Sequence, residues 1–498
     1  MKSPALKILA LSIILGSFLR FYKLNTNYVW FNDTFFRLTP ALEILSGVPV
    51  KYDSSMIGVT GLGLLCFSIS KDLYPVALAV CLAGILCIPL SYYFVLKLTK
   101  DERIAALSAL FVSINPTLVA LSKVLLWDIF VVFFFLVSGI IFLSLKEKES
   151  LTKGILLGIS LFILFSFKLS NFLYAFIIYL FLFYNGKLSI NKSRNLLASL
   201  IFYGLLIGLF FYLFHNPFGS FVGGVDSILE KNYLSFIVAT LKILVSPMAS
   251  PATSMTYDYD MKINIFFIIG LISLIPTSVY LKNIKKRKDI FPISIVFIIS
   301  LFFLTPGVWS HRYIVVPLFL MLVFVSYGLI KIMEKKKMYA FLILALCFIA
   351  SFIPSITLNY EWNQTESLSK NHVATPLSLF INSCDLIDKN NVDMVVSSYG
   401  RVFTYYKLSG KIDTEIVDFY FTEKEDVLDI TNNAISLGKR VWYIEGWPDV
   451  YAGWKPNIIY KNSIESKFIL NQIYISREKI YIFESSYPSL IIYELNNK

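Results

Sequence analysis

Charge is scarce in this sequence. Only 16% of its 498 residues are Asp, Glu, Lys or Arg, against roughly 25% in an average soluble domain. With 56% hydrophobic residues and a mean hydropathy of +0.68, that shortage excludes a disordered chain and argues against a soluble enzyme. Cysteine is also sparse. Cys66, Cys81, Cys87 and Cys347 sit in apolar segments and Cys384 stands apart, so neither a disulfide framework nor a CxxC motif is available. The three histidines, His215, His311 and His372, show no HxH or HxxxH spacing, which speaks against a zinc site. Walker A and GxGxxG sequences are missing. The apolar stretches are continuous rather than alternating, which excludes a transmembrane β-barrel.

What is present is a series of apolar runs near the length of about 20 residues that a membrane-spanning helix needs. Candidate spans are 5–22, 75–96, 104–121, 127–145, 153–168, 170–185, 195–214, 263–281, 290–305, 313–331 and 338–355, about eleven in all. The expected fold is a polytopic α-helical membrane domain over 1–355, followed by an extracytoplasmic α/β domain over 356–498. The net charge of +12 divides unequally between them. Residues 1–355 carry 31 basic and 15 acidic residues, whereas 356–498 carry 14 and 18. The basic excess belongs to short membrane loops, and the C-terminal part has no surplus with which to bind nucleic acid.

Loop charge sets the expected orientation. The loops 97–103, 146–153, 185–194, 282–289 and 331–337 hold 18 Lys and Arg, while the short loops between them hold Lys123, Lys168 and Arg312. The first set is therefore assigned to the cytoplasm, with the N-terminus inside and 356–498 outside. The first apolar run, flanked by Lys2 and Lys7 and ending at Arg20, reads as an uncleaved first span. Residues 56–70 are apolar but contain three glycines. A crossing there would turn every later basic loop outward, so this stretch is expected to be interfacial or re-entrant. Two long outer loops result, 23–74 and 215–262. In the C-terminal part, helices are expected at 376–390 and 426–437. Strands are expected at 392–398, 415–419, 440–445, 479–484 and 490–494.

Ionisable residues close to a bilayer are costly and for that reason informative. Asp33 follows the aromatic run Tyr28 to Phe31 and precedes a helix expected from Phe35 to Gly47. It serves either as an N-cap of that helix or as a reacting carboxylate. Asp128 opens the span 127–145, as cap or as partner. Lys168 sits at an outer junction, where it either snorkels to the interface or ligates an anion. His311 and Arg312 occupy another outer junction, as an interface anchor or, through the guanidinium fork, as phosphate ligands. Asp53 is a further acid of the first outer loop.

Four stretches together resemble the GT-C superfamily of glycosyltransferases that use lipid-linked sugars, within it the protein O-mannosyltransferase and aminoarabinose-transferase branch. They are Asp33 to Gly47; Ala105 to Pro116 followed by Ser122-Lys123 and Trp127-Asp128; Gly154 and Gly158 leading to Lys168-Leu169-Ser170-Asn171; and Arg312-Tyr313 with Pro317. Where many relatives carry two adjacent acids, this chain has Asp33 followed by Thr34. Trp442 to Gly446 only faintly echoes the WWDYG motif of oligosaccharyltransferases. The resemblance implies a membrane enzyme of the cell envelope, a mannosyltransferase-like hexosyltransferase, working on the extracytoplasmic side. It would move a sugar from a dolichyl or undecaprenyl phosphate to a hydroxyl of a protein, lipid or glycan, with inversion.

In that scheme Asp33 takes the acceptor proton. Lys168, Arg312 and His311 neutralise the leaving phosphate, Asp128 orients the donor or supports Asp33, and Asp53 is a further supporting acid. No cofactor is expected, and a divalent metal has no ligand spacing to support it. The competing expectation is a flippase or transporter of lipid-linked sugars, which would need polar residues along several spans.

Overall fold

The computed structural model describes residues 3–22, 28–30, 33–50, 57–125, 127–148, 150–168, 190–213, 265–284, 315–361, 374–397, 399–418, 424–446, 462–475, 479–482, 485–488 and 490–498, with a few isolated residues between these segments. They form two compact units. One comprises 1–24, 55–59 and 78–359, and the other 25–54, 60–77 and 360–498.

The first unit is helical. Six helices among the described residues are long and apolar enough to cross a membrane: Pro4–Phe21, Tyr74–Thr99, Asp128–Glu147, Ile265–Asn283, Val315–Met333 and Lys337–Thr357. Helix α1 (Pro4–Phe21) starts at Ser3, whose hydroxyl accepts from the Leu6 amide. It leaves Leu11, Ile14 and Phe18 exposed along one face while Ser12, Gly16 and Arg20 are buried. Apolar outside and polar inside is the arrangement lipid favours, because only the bundle interior offers partners to polar groups.

The expected span 104–121 is broken in two. Helix α5 (Glu102–Ile114) stops at Asn115, whose backbone is extended and whose side chain accepts from the Leu118 amide; Pro116 then opens helix α6 (Pro116–Leu121). A residue before proline is pushed out of the helical region, and proline itself suits a first helical position. Likewise the 263–281 span is three consecutive pieces, Ile265–Gly270, a 3-10 turn at Leu271–Ser273, and Leu274–Ile284. Of the expected span 170–185 only scattered residues are described, and of 290–305 only Ser294.

Ion pairs and hydrogen bonds show how these helices run. Ser3 donates to Glu102 at 2.9 Å, while Arg20 donates to the carbonyls of Val112 and Ser113. Helices α1 and α5 are thus parallel, start beside start and end beside end. Helix α4 (Tyr74–Thr99) is the return crossing between them, so helix α3 (Ile57–Phe67) adds none. At eleven residues it is only about 16 Å long, too short to span alone. Three of the basic loops meet at one face, where Lys97 and Lys100 pair with Glu147 and Arg103 pairs with Glu334.

The second unit is built on a mixed five-stranded sheet, order β4-β3-β5-β9-β6. Its strands are β3 (Met394–Ser397), β4 (Glu415–Asp418), β5 (Val441–Gly446), β6 (Phe468–Ile475) and β9 (Leu490–Asn497). β3 runs parallel to both β4 and β5, whereas β9 runs antiparallel to β5 and β6. Helices Leu377–Lys389, Gly400–Leu408 and Lys424–Ser436 connect or flank these strands. Met394, Val396, Val417, Val427, Tyr443 and Phe468 form part of its core. A hairpin pairs β7 (Lys479–Ile482) with β8 (Ser485–Pro488). The Gly400–Leu408 helix, β6 and β8 were not expected from the sequence.

The same unit includes part of the first loop. Strand β1 (Tyr28–Trp30) pairs antiparallel with β2 (Ala374–Pro376). Helix α2 (Asp33–Leu45) follows and ends at Gly47, whose φ of +67° suits glycine. The amides of Gly47 and Val48 donate to the carbonyls of Ile44 and Glu43, a Schellman cap.

Candidate functional site

Two of the residues singled out in the sequence are in contact within the helical unit. Helix α7 (Asp128–Glu147) begins at Asp128, and helix α8 (Leu151–Phe167) ends one residue before Lys168. Lys168 Nζ lies 3.4 Å from Asp128 Oδ1, with side chains 11% and 2% exposed. Asp128 does not cap its helix. Trp127 takes that position without a side-chain bond, and the carboxylate sits in the first turn, where the helix dipole favours negative charge. Its second oxygen, Oδ2, is buried with no hydrogen-bond partner among the described residues.

Local packing fixes this pair. Gly154 and Gly158 bring α8 against the helix Ile190–Leu213 so closely that a Cβ at either would collide with the carbonyl oxygen of Asn195 or Ser199. Small residues four apart serve membrane helices in this way. At its other end, α8 is closed by Asn171, whose side-chain amide donates to the Leu164 carbonyl at 2.8 Å. Phe167 stacks between α8 and α7 on Phe130 and Phe134, with ring centroids 5.1 and 5.4 Å apart. Gly154 and Gly158 thus seat α8 on the helix Ile190–Leu213, and Phe167 and Asn171 fix the chain on either side of Lys168.

Two more buried cations lie at helix ends of this unit. Arg20 donates to Ser122 Oγ and to the carbonyls of Gly16, Ser113 and Val112, and Lys123 donates to the Tyr22 carbonyl at 2.6 Å. The sequence marked Lys123 as a short-loop charge and as part of a motif, and Arg20 as the end of a span. Nothing in the local sequence says that α5 will offer Arg20 its terminal carbonyls.

In the second unit Asp33 opens helix α2. That helix also carries Glu43, which the sequence did not single out. Its Oε1 lies 2.7 Å from Arg401 Nη1, and both side chains are 2% exposed. Asp53, His311 and Arg312 lie outside the described residues. Among the described residues no group of three or more His, Cys, Asp or Glu side chains is placed to hold a metal ion. The strand expected around Trp442 is present as β5, with Trp442 and Tyr443 fully buried in the sheet.

Residues 68–219 match the family model for dolichyl-phosphate-mannose-protein mannosyltransferase. A comparison with curated proteins finds no match. Among solved structures the chain is similar to an oligosaccharyltransferase of Archaeoglobus fulgidus in complex with zinc and sulfate, with TM-score 0.57 and 13% identity over 97% of this chain and 73% of that one. The archaeal oligosaccharyltransferase AglB from the same organism, in complex with an inhibitory peptide and a dolichol-phosphate, gives TM-score 0.57 and 12% identity, covering 97% and 74%. ArnT from Cupriavidus metallidurans, bound to undecaprenyl phosphate, gives TM-score 0.55 and 9% identity, covering 98% of this chain and 97% of its own. The resemblance to GT-C glycosyltransferases is therefore borne out, in sequence over the matched segment and in fold along nearly the whole chain.

Proposed function

We propose that this multi-pass membrane protein is a glycosyltransferase that moves a sugar from a polyprenyl phosphate to an acceptor hydroxyl on the extracytoplasmic side. The single observation that carries this reading is the Lys168–Asp128 pair, which lies inside the matched segment 68–219 at the junction of two apolar helices. A polyprenyl tail belongs in lipid and its phosphate at the membrane surface. A lysine held at the end of a span meets the phosphate there. The dolichol-phosphate of AglB and the undecaprenyl phosphate of ArnT are ligands of the same chemical class.

The residues divide the work as follows. Asp33 accepts the proton of the incoming hydroxyl. The hydroxyl oxygen attacks the anomeric carbon, and the bond from that carbon to the phosphate oxygen breaks. In-line displacement inverts the anomeric centre. The electron pair leaves with the lipid phosphate, whose charge is met by Lys168, Arg312 and His311. Asp128 holds the Lys168 ammonium in place, and Asp53 supports the loop. No step requires a cofactor.

A flippase would place ionisable groups along several spans. The buried charges of the described helical unit are instead at helix ends: Arg20, Lys123, Asp128 and Lys168. The N-terminus is cytoplasmic in this reading and residues 356–498 are outside, as loop charge requires.

The test offers the purified protein a panel of radiolabelled polyprenyl-phosphate sugars with hydroxyl acceptors and follows release of lipid phosphate. Release coupled to a glycosylated acceptor is expected. Movement of intact donor across a proteoliposome membrane without release would overturn the enzyme in favour of the flippase.

A further inference from the structure

We infer that the C-terminal α/β domain acts as a mount for the first-loop helix, and that Glu43 and Arg401 are positioning residues for Asp33. This rests on the assignment of Asp33 as the proton acceptor.

The chain on both sides of Asp33 is held by residues far along the sequence. Just before it, β1 is paired with β2 in the register Tyr28 to Pro376, Val29 to Thr375 and Trp30 to Ala374. Just after it, α2 lies on the helix Gly400–Leu408. Phe35 is fully buried there, its ring 5.2 Å from Tyr405, 6.2 Å from Tyr406 and 6.3 Å from Phe380, centroid to centroid. Thr39 Oγ1 donates to the Arg401 carbonyl at 3.5 Å. Tyr405 reaches the chain beyond α3 as well, donating to the Lys71 carbonyl at 2.6 Å. Asp33, three residues past β1 and first in α2, has little freedom of position left to its backbone.

The ion pair adds what apolar packing cannot, a unique axial position. Glu43 stands in the last turn of α2, and its carbonyl takes part in the Schellman cap. Arg401 is the second residue of its own helix. A carboxylate at a helix C-terminus and a guanidinium at an N-terminus are each on the unfavourable end of the dipole. Burying such a pair is a poor way to stabilise a fold, because desolvation offsets the attraction; breaking it, however, leaves a buried charge alone. A sliding or rotating α2 would do that, so the pair selects one placement.

Its location says why the contact was available. β3 is parallel to β4 on one side and to β5 on the other, and the crevice past the carboxyl ends of such strands is where open α/β sheets take ligands. Arg401 follows the end of β3 by four residues. Gly400 there abuts Asp418 at the end of β4, where a Cβ would collide. The carboxylate bound at this edge is Glu43 of the same chain.

The full-length protein in detergent or nanodiscs tests this. For Arg401→Met, kcat is expected to fall at least tenfold while the donor KM stays within about twofold. Hydrogen exchange of the peptide covering 33–45 should quicken at least tenfold, and that of 394–397 should not change. Exchanging the charges, Glu43→Arg with Arg401→Glu, places each on the favourable helix end and should recover most of both losses. An Arg401→Met variant with kcat and exchange of 33–45 near wild type would overturn the proposal. So would equal loss of protection in 394–397, which marks a merely structural role. Should Arg401→Met not fold, Arg401→Lys decides on the same two readouts, a partial fall in both being expected and none overturning the proposal. If the wild-type protein releases no lipid phosphate, the glycosyltransferase reading fails, and the exchange comparison still decides whether the pair holds the helix.

Discussion

Arg20 Nη1 donates to the carbonyl oxygen of Ser113 across 2.9 Å, joining the end of the first span to the end of a helix 93 residues later. The same guanidinium serves Gly16, Val112 and Ser122. One planar group with five donors thus satisfies orphan carbonyls at the break before Asn115. Arg20→Met should lower the unfolding free energy by about 2–3 kcal/mol, the range for hydrogen bonds to a charged group. Arg20→Lys should recover only part, since one ammonium cannot span all four acceptors. Unfolding in mixed detergent measures both.

The proposed roles of Lys168 and Asp128, donor binding and positioning, are separable by substitution. Lys168→Gln should raise the donor KM by about tenfold to a hundredfold, the equivalent of one charge-assisted hydrogen bond. Asp128→Asn keeps shape and removes charge, so a smaller rise is expected. Initial rates over a donor series decide it, and equal KM values for Lys168→Gln and wild type would remove the lysine from the phosphate site.

Gly158 tests the close approach of helices. A Cβ there would stand 2.5 Å from the Ser199 carbonyl oxygen, so Gly158→Ala must push the helices apart. A loss of about 1–3 kcal/mol is expected from overpacking, read as a lowered thermal midpoint, with Lys168 displaced and donor KM raised in step. Gly204 has open space around it, so Gly204→Ala should leave both quantities unchanged.

Cys384 provides a pH probe of the second unit. Burial pushes its thiol up to about 12 from 9.0; Lys411 opposes this and Asp385 adds to it. The folded protein therefore holds the proton more tightly than the unfolded chain between those values. The resulting stability is complete below pH 9 and is lost as pH rises toward 12. Iodoacetamide at pH 8 should leave Cys384 unlabelled in the native protein and label it after denaturation, as intact-mass measurement will show.

Tyr74–Thr99 and Val315–Met333 were legible because lipid tolerates nothing but a continuous apolar helix of that length. The central strands β3, β4 and β5 were legible for a related reason, as short apolar runs between turn residues. The helix Gly400–Leu408 was not, since its mixed polarity follows no helical stripe until α2 covers it. Of the candidate site, Lys168 and Asp128 stood out as charges at span ends, yet their pairing across 40 residues is a product of the α7–α8 packing.

Membrane character, the basic loops and the ionisable residues at helix ends were all legible along the chain, because those properties are local and each is imposed by the bilayer one segment at a time. The folded chain alone settled that Arg20 reaches α5 and that Glu43 meets Arg401, while the parallel course of α1 and α5 agrees with the reading of 56–70 as no crossing. Those two contacts join segments 93 to 358 residues apart, and neither partner's neighbours in the chain carry information about the other.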